Sequence, residues 1–259
     1  MREYIEKSQD LDPKESGKVL YVVGIGPGEY GQLTMKAAAA LSGSQIIVGY
    51  TVYTDLAREH FPDKEYLSTP MTKEVDRCCL AFEKAGEGRR VSLVCGGDPG
   101  IYGMAGLVLE LAPRYPQVSV EIIPGVTAAS AGAAVLGAPI CHDFAVISLS
   151  DRLTSRELIE KRLSCAAMSD MVICLYNPSS RSRKDYLSWA CEVVGRYRKP
   201  ETVCGLVRNI ARQGQEARIT SLKELALIQA DMFTTVYIGN SQTGKEHGRM
   251  ITPRGYRYV

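Results

Sequence analysis

The run CGGDPGIYG, from Cys95 to Gly103, gathers residue types that let a small molecule come close to the backbone. Gly96 and Gly97 remove the side chains that would hold a ligand off the main chain, and Pro99 fixes the turn. Asp98 accepts either from a ligand hydroxyl or amino group, or from its own turn. A loop of the same kind, GIGPG from Gly24 to Gly28, follows the apolar run LYVV, and PGVT from Pro124 to Thr127 follows VSVEII. Thr127 stands just before an alanine-rich stretch, where its hydroxyl either caps a helix or faces the ligand.

Other loops hold charge. LYNPSSRSR places Tyr176 and Asn177 at a strand end, with Arg181 and Arg183 beyond, either meeting carboxylates or lying on a solvated helix start. Arg208 and Arg212 in GLVRNIARQGQ follow another strand, as surface pairs or beside the acidic rim of a ligand. Cys141, His142 and Asp143 are consecutive, and neighbours on an extended chain point to opposite faces, so the trio does not converge on one metal. His142 alone titrates in the range of an acid, a base or a substrate contact. No Ser-His-Asp spacing, H-E-x-x-H or catalytic carboxylate pair is present.

These loops need strands behind them. VLYVVG, SQIIVG, VSLVC and VSVEII alternate with helical patterns, one of which puts Val75, Cys78, Cys79 and Phe82 on a single stripe. A second series, FAVISL, MVICLY, TVCGLV and TTVYIG, follows PGVT. Thr154 with Glu157, and Ser221 with Glu224, have the spacing of helix-start capping boxes. The reading is α/β in two domains, 17–124 and 125–243, with a cleft between them as the default ligand site. Residues 1–16 and 244–259 are polar and aperiodic, and are expected as loosely held arms.

The glycine turn is not a dinucleotide fingerprint. Its glycines are Gly24, Gly26 and Gly28; Glu29 takes the third position of G-x-G-x-x-G, and the next strand carries no acid for a ribose. Pro27 removes an amide a phosphate cradle would use, and no Walker loop occurs.

The 259 residues hold 31 basic and 29 acidic side chains, interspersed, for a net charge of +2, so no nucleic-acid footprint is present. The first ten residues lack the apolar core of a signal peptide, and AASAGAAVLGAPI, from Ala128 to Ile140, is too short to cross a bilayer about 30 Å thick. A cytoplasmic protein with no membrane partner is expected. Eight cysteines without a C-x-x-C read as reduced, mostly buried thiols.

Taken in order, VGIGPGEYGQLTMKA, GGDPGIYG, PGVTAASAGAAVLGAP, LYNPSS, GLVRNIAR and TTVYIGNSQT resemble the signature of the tetrapyrrole methyltransferases that use S-adenosylmethionine, across residues 18–243. VGYTVY, GAPICHDFAVISLSDRLT, LYNPSSRSR and the closing GNSQTG and MITPRGY resemble the carbon-17 methyltransferases of cobalamin biosynthesis. The resemblance implies two αβα domains that are not Rossmann, a homodimer, and a donor held in the interdomain cleft and released as S-adenosylhomocysteine. Carried over by motif, Pro27, Gly96, Gly97, Asp98, Ile101, Thr127, Ala128, Tyr176 and Asn177 contact the donor, with backbone near Ala211 and Thr235.

The implied reaction methylates carbon 17 of a corrinoid precursor and contracts its ring. His142, Asp143, Asp151 and Tyr102 are candidates for proton handling, and Arg152, Arg181, Arg183 and Arg208 for binding the substrate's carboxylates. The ending resembles the cobalt-dependent, anaerobic branch, with cobalt present only as part of the substrate. Some relatives carry an added cysteine-rich domain for an iron–sulfur cluster; no cysteine follows Cys204, so no cluster and no protein-bound metal are expected.

Overall fold

The computed structural model describes residues 17–180 and 184–256. The expected arm over residues 1–16 and the candidates Arg181 and Arg183 lie outside the described residues. The chain divides between Thr127 and Ala128 into two compact units.

The first unit holds β1 (Val19–Gly24), β2 (Ile46–Tyr50), β3 (Glu65–Thr69), β4 (Val91–Cys95) and β5 (Ser119–Ile123). They form one parallel sheet in the order β3-β2-β4-β1-β5. β1 is buried on both faces, which is why its sequence is a continuous apolar run and not an alternation. Leu20 and Val22 join the core under the helices Glu74–Gly86 and Ala105–Leu111, whereas Tyr21 and Val23 pack with Ala37, Leu41 and Phe61 on the opposite face. The unit is therefore an αβα layer structure. β3, EYLST, is only partly buried at the sheet edge, so no apolar pattern announced it.

The Glu74–Gly86 helix buries Arg77, Cys78, Ala81, Phe82 and Ala85, so the expected stripe holds at Cys78 and Phe82 and fails at Val75. Val75 is 51% exposed and Cys79 half-buried. Ala81 and Ala85, both fully buried, continue the inward face, and Val75 lies off it. Phe82 stacks on Tyr115 with ring centroids 4.5 Å apart.

The second unit contains β6 (Gly137–Ala138), β7 (Phe144–Ser148), β8 (Val172–Tyr176), β9 (Val203–Arg208), β10 (Glu216–Ser221), β11 (Thr234–Ile238), β12 (Gly244–Glu246) and β13 (Arg249–Ile251). The larger sheet runs β10-β9-β11-β8-β7, with β7 parallel to β8 and the remaining pairs antiparallel. Ile147, Leu175 and Val236 meet Leu163, Leu187 and Val194 from the helices Arg156–Met168 and Tyr186–Gly195.

Both capping expectations have an outcome. Ser221 and Glu224 form the reciprocal box. Thr154 does not cap: the next helix starts one residue later than expected, and Ser155 accepts from the Leu158 amide instead. The stretch after Gly244, expected as a loose arm, is instead a hairpin of β12 and β13 whose second strand pairs with β6. Met250 and Thr252 are fully buried there, and the Thr252 hydroxyl donates to Pro139 O at 2.6 Å. A partner 113 residues away leaves no trace in local periodicity.

All eight cysteines are free. No helix among the described residues is long and apolar enough to cross a membrane.

Two outcomes follow from this packing. Phe82→Ala is expected to lower stability by about 3–5 kcal/mol, read as a shift in urea midpoint. Glu224 is held below the usual carboxylate range first by the Thr220 hydroxyl and then by the Ser221 amide. Its ionised form is the one the fold favours, so its contribution exists above that range and is lost as pH falls through it. The stability margin of wild type over Glu224→Gln should therefore shrink between pH 7 and about pH 3; a margin constant over that range would contradict the assignment.

Candidate functional site

In the first unit the chain leaves β1 toward β2, on one side, and leaves β4 toward β5, on the other. Loops departing in opposite directions from neighbouring strands open a crevice at their carboxyl ends, where α/β proteins bind ligands. The GIGPG and CGGDPG loops occupy that position. Gly26 N donates to Gly97 O at 3.2 Å, and Gly97 N donates to Gly26 O at 2.7 Å. The third loop packs directly on them. A Cβ placed on Gly125 would lie 2.2 Å from Gly97 O, and one on Gly24 would lie 2.6 Å from the Gly125 nitrogen. These glycines are required because backbone rests on backbone.

Asp98 ties the loops together. Its Oδ1 accepts from Gly100 N at 2.8 Å within its own turn, and its Oδ2 accepts from Gly125 N at 3.0 Å across the loops. A carboxylate offers about four acceptor positions, so two directions stay open for a ligand. Thr34, which sequence reading did not single out, caps the Met35–Gly43 helix and donates its hydroxyl to Pro124 O at 3.2 Å. Tyr53 lies over Gly96, its ring carbons 2.5 Å from where a Cβ would sit. Pro27 is buried; Ile101 and Tyr102 project from the same edge, 37% and 56% exposed. Gln32 Oε1, in the loop after β1, is buried with no partner among the described residues. An acceptor in that condition fits a ligand that brings an N–H.

In the second unit, two tyrosines hold the start of the Ala128–Leu136 helix, the segment that follows Thr127. Ala129 N donates to the Tyr176 hydroxyl at 2.7 Å, and the Tyr237 hydroxyl donates to the Ala128 and Ala129 carbonyls, each at 2.9 Å. Thr235 is 5% exposed on the central strand β11. Asn177 follows β8 with φ 53° and donates its Nδ2 to Ser148 Oγ at 2.9 Å. Asn209 and Ala211, after β9, have φ 50° and 54°, and Tyr102 has 53°. Asparagine tolerates the left-handed region; alanine and tyrosine are strained there, as backbone at binding loops commonly is.

The charged candidates are more dispersed. His142 and Asp143 are exposed, joined by Asp143 N donating to His142 Nδ1 at 2.8 Å. Cys141 is exposed beside them, and no three metal-ligating side chains gather anywhere among the described residues. Asp151 accepts from the Tyr186 hydroxyl at 2.6 Å, and Arg152 is exposed. Arg208 is paired: its Nε donates to Asp231 Oδ2 at 2.7 Å. Burial pushes the Asp231 carboxyl up, but Arg208, Thr234 and the Phe233 amide outweigh it and hold the group below its usual range.

A buried cation also went unnoticed in the sequence. Arg77, 3% exposed, donates to Thr69 Oγ1 at 2.7 Å, to Pro70 O at 2.9 Å and to Met104 Sδ at 3.4 Å, and so braces the end of the CGGDPGIYG loop. The one available signal was its place inside an otherwise apolar helical stripe. Cys95, at the head of that loop, is pushed up to about 11 by burial, which makes it a neutral thiol and no nucleophile.

A sequence profile described as Tetrapyrrole (Corrin/Porphyrin) Methylases matches residues 19–226. The chain is 45% identical over 239 residues to a Salmonella typhimurium protein named "Probable cobalt-factor III C(17)-methyltransferase", covering 92% of this chain and 99% of that one. It is 47% identical over 238 residues to "Cobalamin biosynthesis protein CbiHC" of Archaeoglobus fulgidus, with 92% of this chain spanning 52% of that longer one. The solved structure titled "Crystal structure of the methyltransferase CobJ" matches with a TM-score of 0.83 at 36% identity, over 90% of this chain and 99% of that chain. With the profile running from β1 through all three glycine loops to the Ser221 cap, the chain belongs to the tetrapyrrole (corrin/porphyrin) methylase family.

Proposed function

We propose that this chain transfers the methyl group of S-adenosylmethionine to carbon 17 of cobalt-factor III, with contraction of the macrocycle. The reading rests on one observation: the three glycine loops among the segments that carry the family likeness are locked together at the carboxyl edge of the first sheet. When bound, the donor supplies a sulfonium methyl that is already activated, and the tetrapyrrole supplies the attacking carbon. The protein needs no strong nucleophile. Its task is to orient two partners and exclude water, which can lower a barrier by several kcal/mol when the geometry is held rigidly.

Pro27, Gly96, Gly97, Asp98, Ile101 and Thr127 in the first unit, and Ala128, Tyr176, Asn177, Ala211 and Thr235 in the second, are the proposed donor contacts. The open acceptor positions of Asp98 and the unpartnered Gln32 Oε1 suit the hydroxyl and amino groups of such a donor. His142, Asp143, Asp151 and Tyr102 are proposed for proton handling, and Arg152, Arg181, Arg183 and Arg208 for substrate carboxylates. Arg208 must share its cation with Asp231 to do so. Cobalt enters only inside the substrate, and the working form is proposed as a cytoplasmic homodimer.

Anaerobic incubation with S-adenosylmethionine and cobalt-factor III should add one methyl group by mass spectrometry and change the absorbance spectrum. Turnover of the metal-free precorrin alone would assign the aerobic reaction instead, and no methylation of either would overturn the reading. Asp98→Asn replaces one of two accepting oxygens by a donor facing an N–H. It should weaken S-adenosylhomocysteine binding by about tenfold or more in calorimetry, the size expected for losing a hydrogen bond to a charged group.

A further inference from the structure

We propose that the loop between β7 and the Arg156–Met168 helix is a substrate subsite, in which Arg156 anchors a carboxylate and Leu153 lies against the apolar macrocycle. The proposal rests on the reading that the substrate is a tetrapyrrole rimmed by carboxylates. β7 and β8 are parallel and end in register, Ser148 beside Tyr176, so this loop leaves the sheet at the same edge as Tyr176 and Asn177.

Arg156 is held in an unusual way for this unit. Its guanidinium carbon lies 4.4 Å from the Trp189 ring centroid and 5.1 Å from that of Tyr186. The two rings are 5.7 Å apart and tilted by 56°, and the Tyr186 hydroxyl is fixed by donating to Asp151. Aromatic faces steady the plane of a guanidinium without using its N–H groups, which are left to donate to an anion along their edge.

Neighbouring arginines are spent differently. Arg196 pairs with Glu160 at 2.7 Å, Arg208 with Asp231, and Arg198 with Asp170. Arg156 makes no ion pair within 4.0 Å among the described residues; Glu157 beside it feels its charge, but is engaged first by its own backbone amide and the Ser155 hydroxyl. Three residues before Arg156, Leu153 is 100% exposed. An oriented cation next to a bare leucine suits a ligand that is apolar in the plane of its ring and anionic at its edge.

Trp189, the single tryptophan of the chain, lies against Arg156, so its fluorescence gives one binding signal close to the proposed subsite. Titrating the full-length protein anaerobically with cobalt-factor III should quench it by energy transfer and give a dissociation constant without turnover. Arg156→Ala should raise that constant, and the KM for the tetrapyrrole, by about tenfold, with kcat within about twofold and S-adenosylhomocysteine binding unchanged. Arg156→Lys should recover part of the loss. Arg196→Ala, which removes a cation at the far end of the Tyr186–Gly195 helix, should bind as wild type does. If Arg156→Ala loses its cooperative thermal transition, Arg156→Gln is read in its place. A folded Arg156 variant that binds within about twofold of wild type overturns the subsite alone. A wild type that binds no cobalt-factor III overturns the proposed function, and this inference with it.

Discussion

The Asp98 carboxylate is the constraint on which the first unit's ligand edge depends. One oxygen closes its own turn and the other reaches the Gly125 amide, so a single side chain sets the spacing of two loops that leave non-adjacent strands. Gly24, Gly97 and Gly125 make this possible, because no side chain separates one main chain from the next. Thr34 extends the arrangement by capping a helix while holding Pro124. The result is an edge whose polar groups are fixed before any ligand arrives, as preorganised catalysis requires.

The second unit reaches order by other means. Its helix start is fixed by two tyrosine hydroxyls, and its post-strand loops by Asn177, Asn209 and Ala211 in the left-handed region. The strain at Ala211 is offset by the Gln215 side chain, which accepts from its amide at 2.8 Å. Both units combine glycines that let backbone lie on backbone, Gly125 in the first and Gly239 in the second, with side chains that pin the loops between strands.

Much of this was legible in the residues. Continuous apolar runs marked the buried strands, since parallel strands covered on both faces need no alternation. The failure of the dinucleotide fingerprint correctly removed the Rossmann alternative. The choice left open at Asp98 resolves in part: it serves its turn, and also a second loop that no local rule could name. What stayed hidden was mostly non-local. β3 and β10 lie at sheet edges with little buried surface, and β13 finds its partner far up the chain. Val75 was placed on the wrong face because periodicity locates a stripe only to within about one residue when small and large side chains share it. Spacing could not choose between a surface pair and a ligand contact for Arg208; the structure gives the pair, with Asp231.

The small sheet of β12, β13 and β6 gives the second unit an order of assembly. The first unit's strands find all of their sheet partners before Thr127, so its sheet can close while the rest of the chain is still being made. Gly137 and Ala138 must instead wait for Met250 and Ile251, and closing so long a loop carries an entropic cost that only tertiary contacts repay. During synthesis the loop bearing His142 therefore stays untethered on one side until nearly all of the second unit has been made, and the two halves of this enzyme mature at different times.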